Sequence, residues 1–180
     1  MPTLHLISGL PGSGKTTYAL RLKDNAGAVL YCLDRWLITL FGRYALADVG
    51  LDEHTRRVLA CRELIRESAT EFLTRGIDVI LDDGFFYREH RMQHVAFALE
   101  TGARATIHLV DTPLEVVRRR LERRNADLPR YNFYIEPAIL DDFLGMYQRP
   151  TPDEGAEIVT VTGALERDTD GLATRPPAAP

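Results

Sequence analysis

Five short apolar segments are spaced along the chain, each bounded by glycine or by polar residues. Every segment is five or six residues long and almost entirely apolar, which predicts strands buried on both faces. The predicted strands cover residues 4–8, 28–33, 77–81, 105–110 and 157–161.

Between these strands, apolar residues recur at three- and four-residue spacing, the period of an amphipathic helix. In the longest such stretch Asp52 is a suitable N-cap and Gly76 suits the position after the last turn. A later helix has Thr112 as a capping hydroxyl and Pro113 in its first position. The predicted helices cover residues 15–24, 52–75, 88–101, 113–125 and 136–147.

Strands that alternate with helices, and that are apolar throughout, are typical of a parallel sheet covered by helices on both faces. The chain has 180 residues, the size of one domain. We therefore expect an α/β domain over residues 1–163. Residues 164–180 are rich in Thr, Asp, Pro and Ala, which predicts a disordered tail.

Composition limits the classes of function. The formal net charge is −4 and the pI about 5.7, which argues against a protein that coats long nucleic acids. The N-terminus lacks a basic leader and no segment reaches the ~20 apolar residues of a membrane span, so we expect a cytoplasmic protein. Cys32 and Cys61 show no CxxC spacing, which favours free thiols over a metal site.

The most informative motif is GLPGSGKT at residues 9–16, a full match to the P-loop or Walker A pattern. Glycines allow backbone N–H groups to surround phosphate oxygens, and the helix that follows directs its N-terminal dipole at the same anion. We expect Lys15 to reach the β- and γ-phosphates of ATP, and Thr16 to bind Mg²⁺. The predicted nucleotide-binding residues are Gly9, Leu10, Pro11, Gly12, Ser13, Gly14, Lys15, Thr16 and Thr17.

Acidic residues follow two of the predicted strands, at the sheet edge where α/β proteins bind ligands. Asp34 is a candidate general base and substrate-binding residue, because a carboxylate can orient an acceptor hydroxyl and take its proton. Its alternative role is to cap the helix that begins there. Asp82 or Asp83 is the candidate acid for Mg²⁺, with a turn before Gly84 as the alternative role of the pair.

The helix after Pro113 carries an unusually dense group of arginines. Like charges three or four residues apart repel each other, and an anionic partner such as a triphosphate would relieve that repulsion. Arg120 and Arg124 lie on one helical face, so we predict that both bind the nucleotide and assist catalysis. A solvent-exposed face and a nucleic-acid patch remain alternatives.

Two further arginines follow the third predicted strand. Arg88 and Arg91 lie on one helical face near the predicted site. Either could contact the acceptor or steady Asp34, so both are candidate substrate-binding residues.

With these motifs in place, the chain resembles the small P-loop kinases of the polynucleotide kinase and zeta-toxin-like group, often called AAA_33-type proteins. The resemblance covers roughly residues 4–161 and depends on GLPGSGKT, LDRW, VILDDG and DTPLEVVRRRLERR. It implies a five-stranded parallel sheet in the order 2-3-1-4-5, ATP as the donor, a catalytic aspartate at Asp34, and a helical lid over about residues 120–132. The DDG sequence departs from the group, so the metal-binding acid stays open.

These features favour an ATP-dependent kinase that phosphorylates a hydroxyl group of a small molecule, acting as a monomer or small homo-oligomer. One alternative is a polynucleotide 5′-hydroxyl kinase, because members of this group act on polynucleotides, sugars, antibiotics and nucleotide-sugars. Another is a P-loop ATPase or nucleotide-dependent binding protein without an acceptor. The sequence does not identify the acceptor.

Overall fold

A computed structural model describes residues 1–162 of the chain. It contains five strands and seven α-helices within that range, and the predicted tail over residues 164–180 lies outside it. The strands are β1 (Thr3–Ser8), β2 (Val29–Cys32), β3 (Val79–Gly84), β4 (Arg104–Asp111) and β5 (Glu157–Thr162). The helices are α1 (Lys15–Ala26), α2 (Leu33–Phe41), α3 (Leu46–Val49), α4 (Leu51–Thr74), α5 (Arg88–Glu100), α6 (Leu114–Ala126) and α7 (Pro137–Met146).

The five strands form one parallel sheet in the order β2-β3-β1-β4-β5, which confirms the predicted topology. The central strand β1 pairs with β3 on one side and with β4 on the other. The third strand runs further than predicted, because Asp82 and Gly84 pair with Ile7 and Ser8 at the end of β1, with a one-residue shift of register between them. Because of this extension, the two acidic residues of β3 lie at the carboxyl ends of the strands, next to the glycine-rich loop.

Two apolar layers cover the sheet, since successive side chains of a strand point to opposite faces. On one face Leu4 and Leu6 pack with buried residues of α2, α4 and α5. On the other face Ile7 and Ile80 pack with Ala19 of α1. A smaller apolar cluster joins α6 to α7. No helix within residues 1–162 is long and apolar enough to cross a bilayer.

The helix ends agree with the sequence in part. Gly76 follows α4 with a φ of 80°, as the capping pattern predicted. The predicted N-cap at Asp52 is wrong, because Gly50 takes that position and Asp52 lies in the first turn. An acidic residue there still interacts favourably with the positive end of the helix dipole.

A buried line of polar side chains crosses the α1 side of the sheet. The Tyr18 hydroxyl bonds to His108 Nδ1 at 2.8 Å, and His108 Nε2 bonds to His5 Nδ1 at 2.9 Å. His5 Nε2 makes no hydrogen bond, and lies 3.7 Å from the Asp78 carboxylate. Burial lowers the pKa of His108 to about 4, with neighbouring His5 acting in the same direction. Burial also lowers the pKa of His5, although Asp78 opposes this effect.

We predict that the free energy of unfolding falls as the pH is lowered from about 6.5 towards 4. The unfolded histidines take up protons in this window more readily than the folded pair, so protonation favours the unfolded chain. His108→Gln should flatten the dependence, and His54→Gln, which removes a less buried histidine, should flatten it less. Urea unfolding at several pH values measures this; an unchanged slope in His108→Gln would contradict it.

Candidate active site

The glycine-rich loop over residues 9–14 lies in a space that excludes side chains. Gly9 and Gly12 have φ values of 152° and 80°, in the left-handed region that favours glycine. A Cβ atom at Gly9 would lie 2.8 Å from the Val110 carbonyl oxygen, and one at Gly12 would lie 2.7 Å from Leu121 Cγ. The loop backbone therefore packs directly against β4 and α6, between a strand and a helix as the motif requires.

The Ser13 carbonyl fixes the position of the loop. It accepts hydrogen bonds from Thr112 Oγ1 at 2.8 Å and from Arg120 Nη1 at 3.2 Å. The prediction that Thr112 caps α6 is wrong, since Pro113 is the N-cap and the Thr112 hydroxyl is committed to the loop. Ser13 Oγ is buried without a hydrogen-bond partner. A phosphate oxygen in the loop would supply the partner that this hydroxyl lacks.

Lys15 begins α1 and extends back across the loop. Its ammonium group donates a hydrogen bond of 2.8 Å to the Leu10 carbonyl. Burial lowers the pKa of Lys15, while the carboxylates of Asp82 and Asp34 oppose that effect. The ammonium group thus lies among the two candidate acidic positions and the loop, as the motif predicts.

The two adjacent aspartates of β3 have different partners. Thr16 Oγ1 donates a 2.6 Å hydrogen bond to the Asp82 carboxylate, which is buried beside α1. Asp83 faces α4, where Arg62 donates two hydrogen bonds of 2.7 Å to its carboxylate. The geometry therefore favours Asp82 as the acid beside the loop, and gives Asp83 an ion pair with Arg62 that the sequence did not predict.

A magnesium ion is compatible with the side chains beside the loop. Within residues 1–162 no three His, Cys, Asp or Glu side chains are grouped to hold a metal by themselves. Mg²⁺ in phosphate-transfer sites takes only one or two protein oxygens and completes its shell with water and phosphate oxygens. The Thr16 hydroxyl and the Asp82 carboxylate supply such oxygens, and they touch each other.

Asp34 lies in the first turn of α2, immediately after β2. It does not cap the helix, because Cys32 is the N-cap and no side-chain capping bond is made. Its carboxylate can be reached from solvent, yet protein atoms crowd it on most sides. This desolvation raises the pKa of Asp34 to about 6; Asp82 acts in the same direction, while Lys15 and Arg124 oppose it. Asp34 is thus coupled electrostatically to the loop lysine and to the arginine-rich helix.

The arginine-rich helix α6 brings two of its cations to this site. Arg120 reaches the Ser13 carbonyl, as described above. Arg124 Nη2 donates a 3.2 Å hydrogen bond to the Phe133 carbonyl, while its Nε is buried without a partner. Burial lowers the pKa of Arg124, and Asp34 opposes this effect. Arg118 points elsewhere and pairs with Asp141 at 2.6 Å.

The structure does not place Arg91 where an acceptor could reach it. Arg91 is fully buried, and it donates two hydrogen bonds of 2.6 Å to the equally buried carboxylate of Glu154. Its remaining donors bind the carbonyls of Phe85 and Gln148. Removing one partner of such a buried pair costs about 3–5 kcal/mol, so Arg91 serves the fold. We do not retain it as a substrate-binding residue.

Arg88 is likewise engaged away from the glycine-rich loop. Its guanidinium donates hydrogen bonds of 2.9 Å to both carboxylate oxygens of Asp153, and one of 2.6 Å to Thr151 Oγ1. These contacts join the start of α5 to the segment that precedes β5. Neither Arg88 nor Arg91 contacts Asp34 in this arrangement, so the predicted role of steadying that carboxylate is wrong for both.

One further contact beside the loop had no signal in the sequence. Tyr147, just after α7, bonds through its hydroxyl to Ser8 Oγ at 2.9 Å. Ser8 ends β1 and also donates to the Phe85 carbonyl at 3.2 Å. The chain that returns from α7 is thus tied to the residue before the glycine-rich loop.

Solved structures of similar fold are kinases and nucleotide-bound proteins. A Chloroflexus aurantiacus protein named as a kinase candidate is 18% identical, with a TM-score of 0.72, covering 89% of this chain and 88% of its own. Chaetomium thermophilum Kti12, solved with ADP-AlF3, is 18% identical with a TM-score of 0.67 and 91% of both chains covered. Mycobacterium tuberculosis APS kinase CysC, solved with AMPPNP and APS, is 21% identical with a TM-score of 0.55 and 88% of both chains covered.

At these identities the structural likeness shows the fold alone. A search of curated proteins finds no significant match. A family model described as an AAA domain, AAA_33, matches residues 4–150, which include the glycine-rich loop, Asp34, Asp82 and the arginine-rich helix. The chain therefore belongs to the AAA_33 family and has a P-loop kinase-like fold.

Proposed function

We propose that this protein is an ATP-dependent phosphotransferase that moves the γ-phosphoryl group to a hydroxyl of a small-molecule acceptor. The observation that carries the proposal is the position of Asp34. Its carboxylate is coupled to Lys15 and Arg124, which are the cations expected at the terminal phosphates. An acid at that point is placed to meet the acceptor hydroxyl beside the phosphoryl group being transferred.

The nucleotide is held by the loop and by the cations around it. Backbone amides of residues 9–14 and the α1 N-terminus bind the phosphates, and Ser13 Oγ finds its missing partner there. Lys15 exchanges the Leu10 carbonyl for phosphate oxygens. Similar folds have been solved with ADP-AlF3 and with AMPPNP, which supports a nucleotide at this place.

Thr16 and Asp82 would hold Mg²⁺, Thr16 through its hydroxyl and Asp82 from beside it. When bound, the ion neutralises phosphate charge and orients the triphosphate.

Arg120 and Arg124 stabilise negative charge that spreads over the phosphoryl oxygens during transfer. Arg124 has a buried Nε that lacks a partner, and a phosphoryl oxygen would satisfy it. The segment over residues 120–132 then acts as the lid that closes on the nucleotide.

Asp34 acts as the general base. It accepts the hydroxyl proton of the acceptor while the acceptor oxygen forms a bond to the γ-phosphorus. The bond from that phosphorus to the β,γ-bridging oxygen breaks, and its electrons leave with ADP. A pKa of about 6 keeps Asp34 ionised at neutral pH, yet makes it a better base than an unperturbed aspartate.

A polynucleotide 5′-hydroxyl kinase is the second candidate. Structures that contain Pnkp1 in an RNA repair complex share this fold, with 19% identity and a TM-score of 0.65 in one case. The exposed arginines Arg119 and Arg123 on α6 are the features of this chain that favour such a substrate. An enzyme that binds several phosphates of a polynucleotide would lose affinity for it steeply as the salt concentration rises, whereas the affinity of a small-molecule kinase for its acceptor would depend less on salt.

We predict that an acceptor from a panel of sugars, sugar acids, nucleosides, aminoglycosides and 5′-hydroxyl oligonucleotides increases ADP formation from labelled ATP. Lys15→Ala should reduce that turnover at least about a hundredfold, because it removes the cation expected at the transferred phosphate. Lys23→Ala, an exposed lysine later in α1, is the matched control and should retain activity.

Two results would count against this prediction. If none of the acceptors changes the rate of ADP formation, the protein is an ATPase, the third function that the sequence allows. Full activity in folded Lys15→Ala would remove the proposed site.

We predict that Asp34→Asn retains ATP binding and loses about 10²–10⁴-fold in transfer rate. In the wild type, the rate should fall about tenfold per pH unit below about 6, because the protonated carboxyl cannot accept a proton. Asp24→Asn, an exposed residue of α1, is the matched control. A wild-type pH profile that Asp34→Asn does not alter would assign the proton transfer to another group.

A further inference from the structure

The loop between α6 and α7 crosses the molecule and touches the end of α2. Arg43, just after α2, donates hydrogen bonds of 2.8 Å and 3.1 Å to the carbonyls of Pro129 and Arg130 in this loop. Nearby, Tyr44 packs edge-on against Phe133. These contacts join two separate parts of the chain into one surface, which we call the rim.

Two arginines share one aromatic ring at this rim. The guanidinium carbon of Arg35 lies 5.1 Å from the centroid of the Tyr131 ring, and that of Arg130 lies 5.0 Å from it. Both arginines are exposed, while Tyr131 is half-buried. Arg35 directly follows Asp34, so this arrangement begins beside the proposed base.

The charge of the rim is not balanced by the protein. Within residues 1–162, Arg35 and Arg130 form no ion pair, and Arg43 binds only backbone carbonyls. Through Tyr131, the Arg35 and Arg130 guanidiniums lie within about 10 Å of each other, one Debye length at 0.1 M salt, so their repulsion is only partly screened. Elsewhere the chain neutralises such arginines, as when Glu53 accepts hydrogen bonds from Arg56 and Arg57.

The rim lies beside Asp34, where the acceptor is proposed to bind. The glycine-rich loop follows β1, whereas Asp34 and Arg35 follow β2, and β3 lies between these strands. Two strand spacings separate the two positions by about 10 Å. Arg35 is therefore distant from a triphosphate in the glycine-rich loop. It is close to an acceptor whose hydroxyl group lies at Asp34.

We propose that the acceptor carries an oxyanion, a phosphate, sulfate or carboxylate group, that is bound by Arg35 and Arg130, the two arginines packed against Tyr131. This inference rests on the proposed function, because it places the acceptor hydroxyl at Asp34. Guanidinium groups match the geometry of such oxyanions and bind them through paired N–H donors. Arg43 holds the loop so that Arg130 can take part, and the acceptor itself would then join α2 to the lid.

Titration with inorganic phosphate tests the subsite directly. The protein is first saturated with Mg²⁺ and a non-hydrolysable ATP analogue, so that the glycine-rich loop is filled. Trp36, the single tryptophan of the chain and the neighbour of Arg35, reports binding by its fluorescence. We expect saturable binding in the wild type, about tenfold or more weaker in Arg35→Gln and in Arg130→Gln, since each removes charge-assisted hydrogen bonds.

Arg75→Gln is the matched control, because Arg75 is an exposed residue at the end of α4, before β3 begins, whereas Arg35 follows the carboxyl end of β2. It should leave phosphate binding unchanged. No binding in the folded wild type, or equal affinity in all four proteins, would overturn the inference and leave Arg35 and Arg130 as contacts that only hold the loop closed.

Acceptor pairs separate this inference from the proposed function. Adenosine 3′-phosphate and adenosine, or gluconate and glucose, differ in an oxyanion while each offers a primary hydroxyl. We expect the anionic member of a productive pair to have the lower KM, and Arg35→Gln to raise that KM with little change in kcat. A productive neutral member with the same KM would overturn the inference alone. Phosphate binding without turnover of any acceptor would instead contradict the phosphotransferase.

Discussion

The site depends on a steric constraint, the absence of any space for side chains around the glycine-rich loop. At Gly12 an added Cβ would meet Leu121 of α6, and at Gly9 it would meet the backbone of β4. Because the loop is packed this closely, the Ser13 carbonyl is within reach of Thr112 and Arg120, which hold it. This packing fixes the shape of the loop, so little conformational entropy is lost when it binds a ligand.

The parallel sheet brings the candidate catalytic side chains to this loop. The strands β1, β2 and β3 end at one edge, so the loop, Asp34 and Asp82 converge although they are far apart in sequence. Burial and the neighbouring Asp82 carboxylate raise the pKa of Asp34, and Lys15 and Arg124 oppose that effect. That balance leaves one acid with a raised pKa beside two cations, and the proposed phosphotransferase uses this arrangement.

The sequence predicted the fold well where local pattern determines it. The strands, the loop and the end of α4 at Gly76 follow from apolar spacing and glycine chemistry, and the strand order followed from the family resemblance. The sequence could not separate Asp82 from Asp83. Neighbouring residues of a strand face opposite sides, and only the packed structure shows that α1 covers the side of Ile80 and Asp82.

Long-range polar contacts were the main failure of sequence reasoning. The sequence predicts Arg91 as a substrate-binding arginine on a helix near the site. In the structure it is buried, and Glu154, 63 residues later, neutralises its charge. The sequence predicts Thr112 as a helix cap, but its hydroxyl binds the loop, since Pro113 takes the N-cap position and α6 begins one residue later than predicted. Arg43 likewise binds carbonyls in the loop between α6 and α7, at sequence separations of 86 and 87 residues.

The most direct test of this account is calorimetric titration of Mg²⁺ and ATP into the wild type and into Gly12→Ala. The added methyl group would collide with Leu121 Cγ at 2.7 Å and strain a backbone with a φ of 80°, which displaces the loop. The account predicts saturable binding at one site in the wild type and binding at least about tenfold weaker in the folded variant, a loss of about 1.4 kcal/mol or more. No heat of binding in the folded wild type, or the same affinity in both proteins, would contradict the claim that this loop is a polyphosphate site.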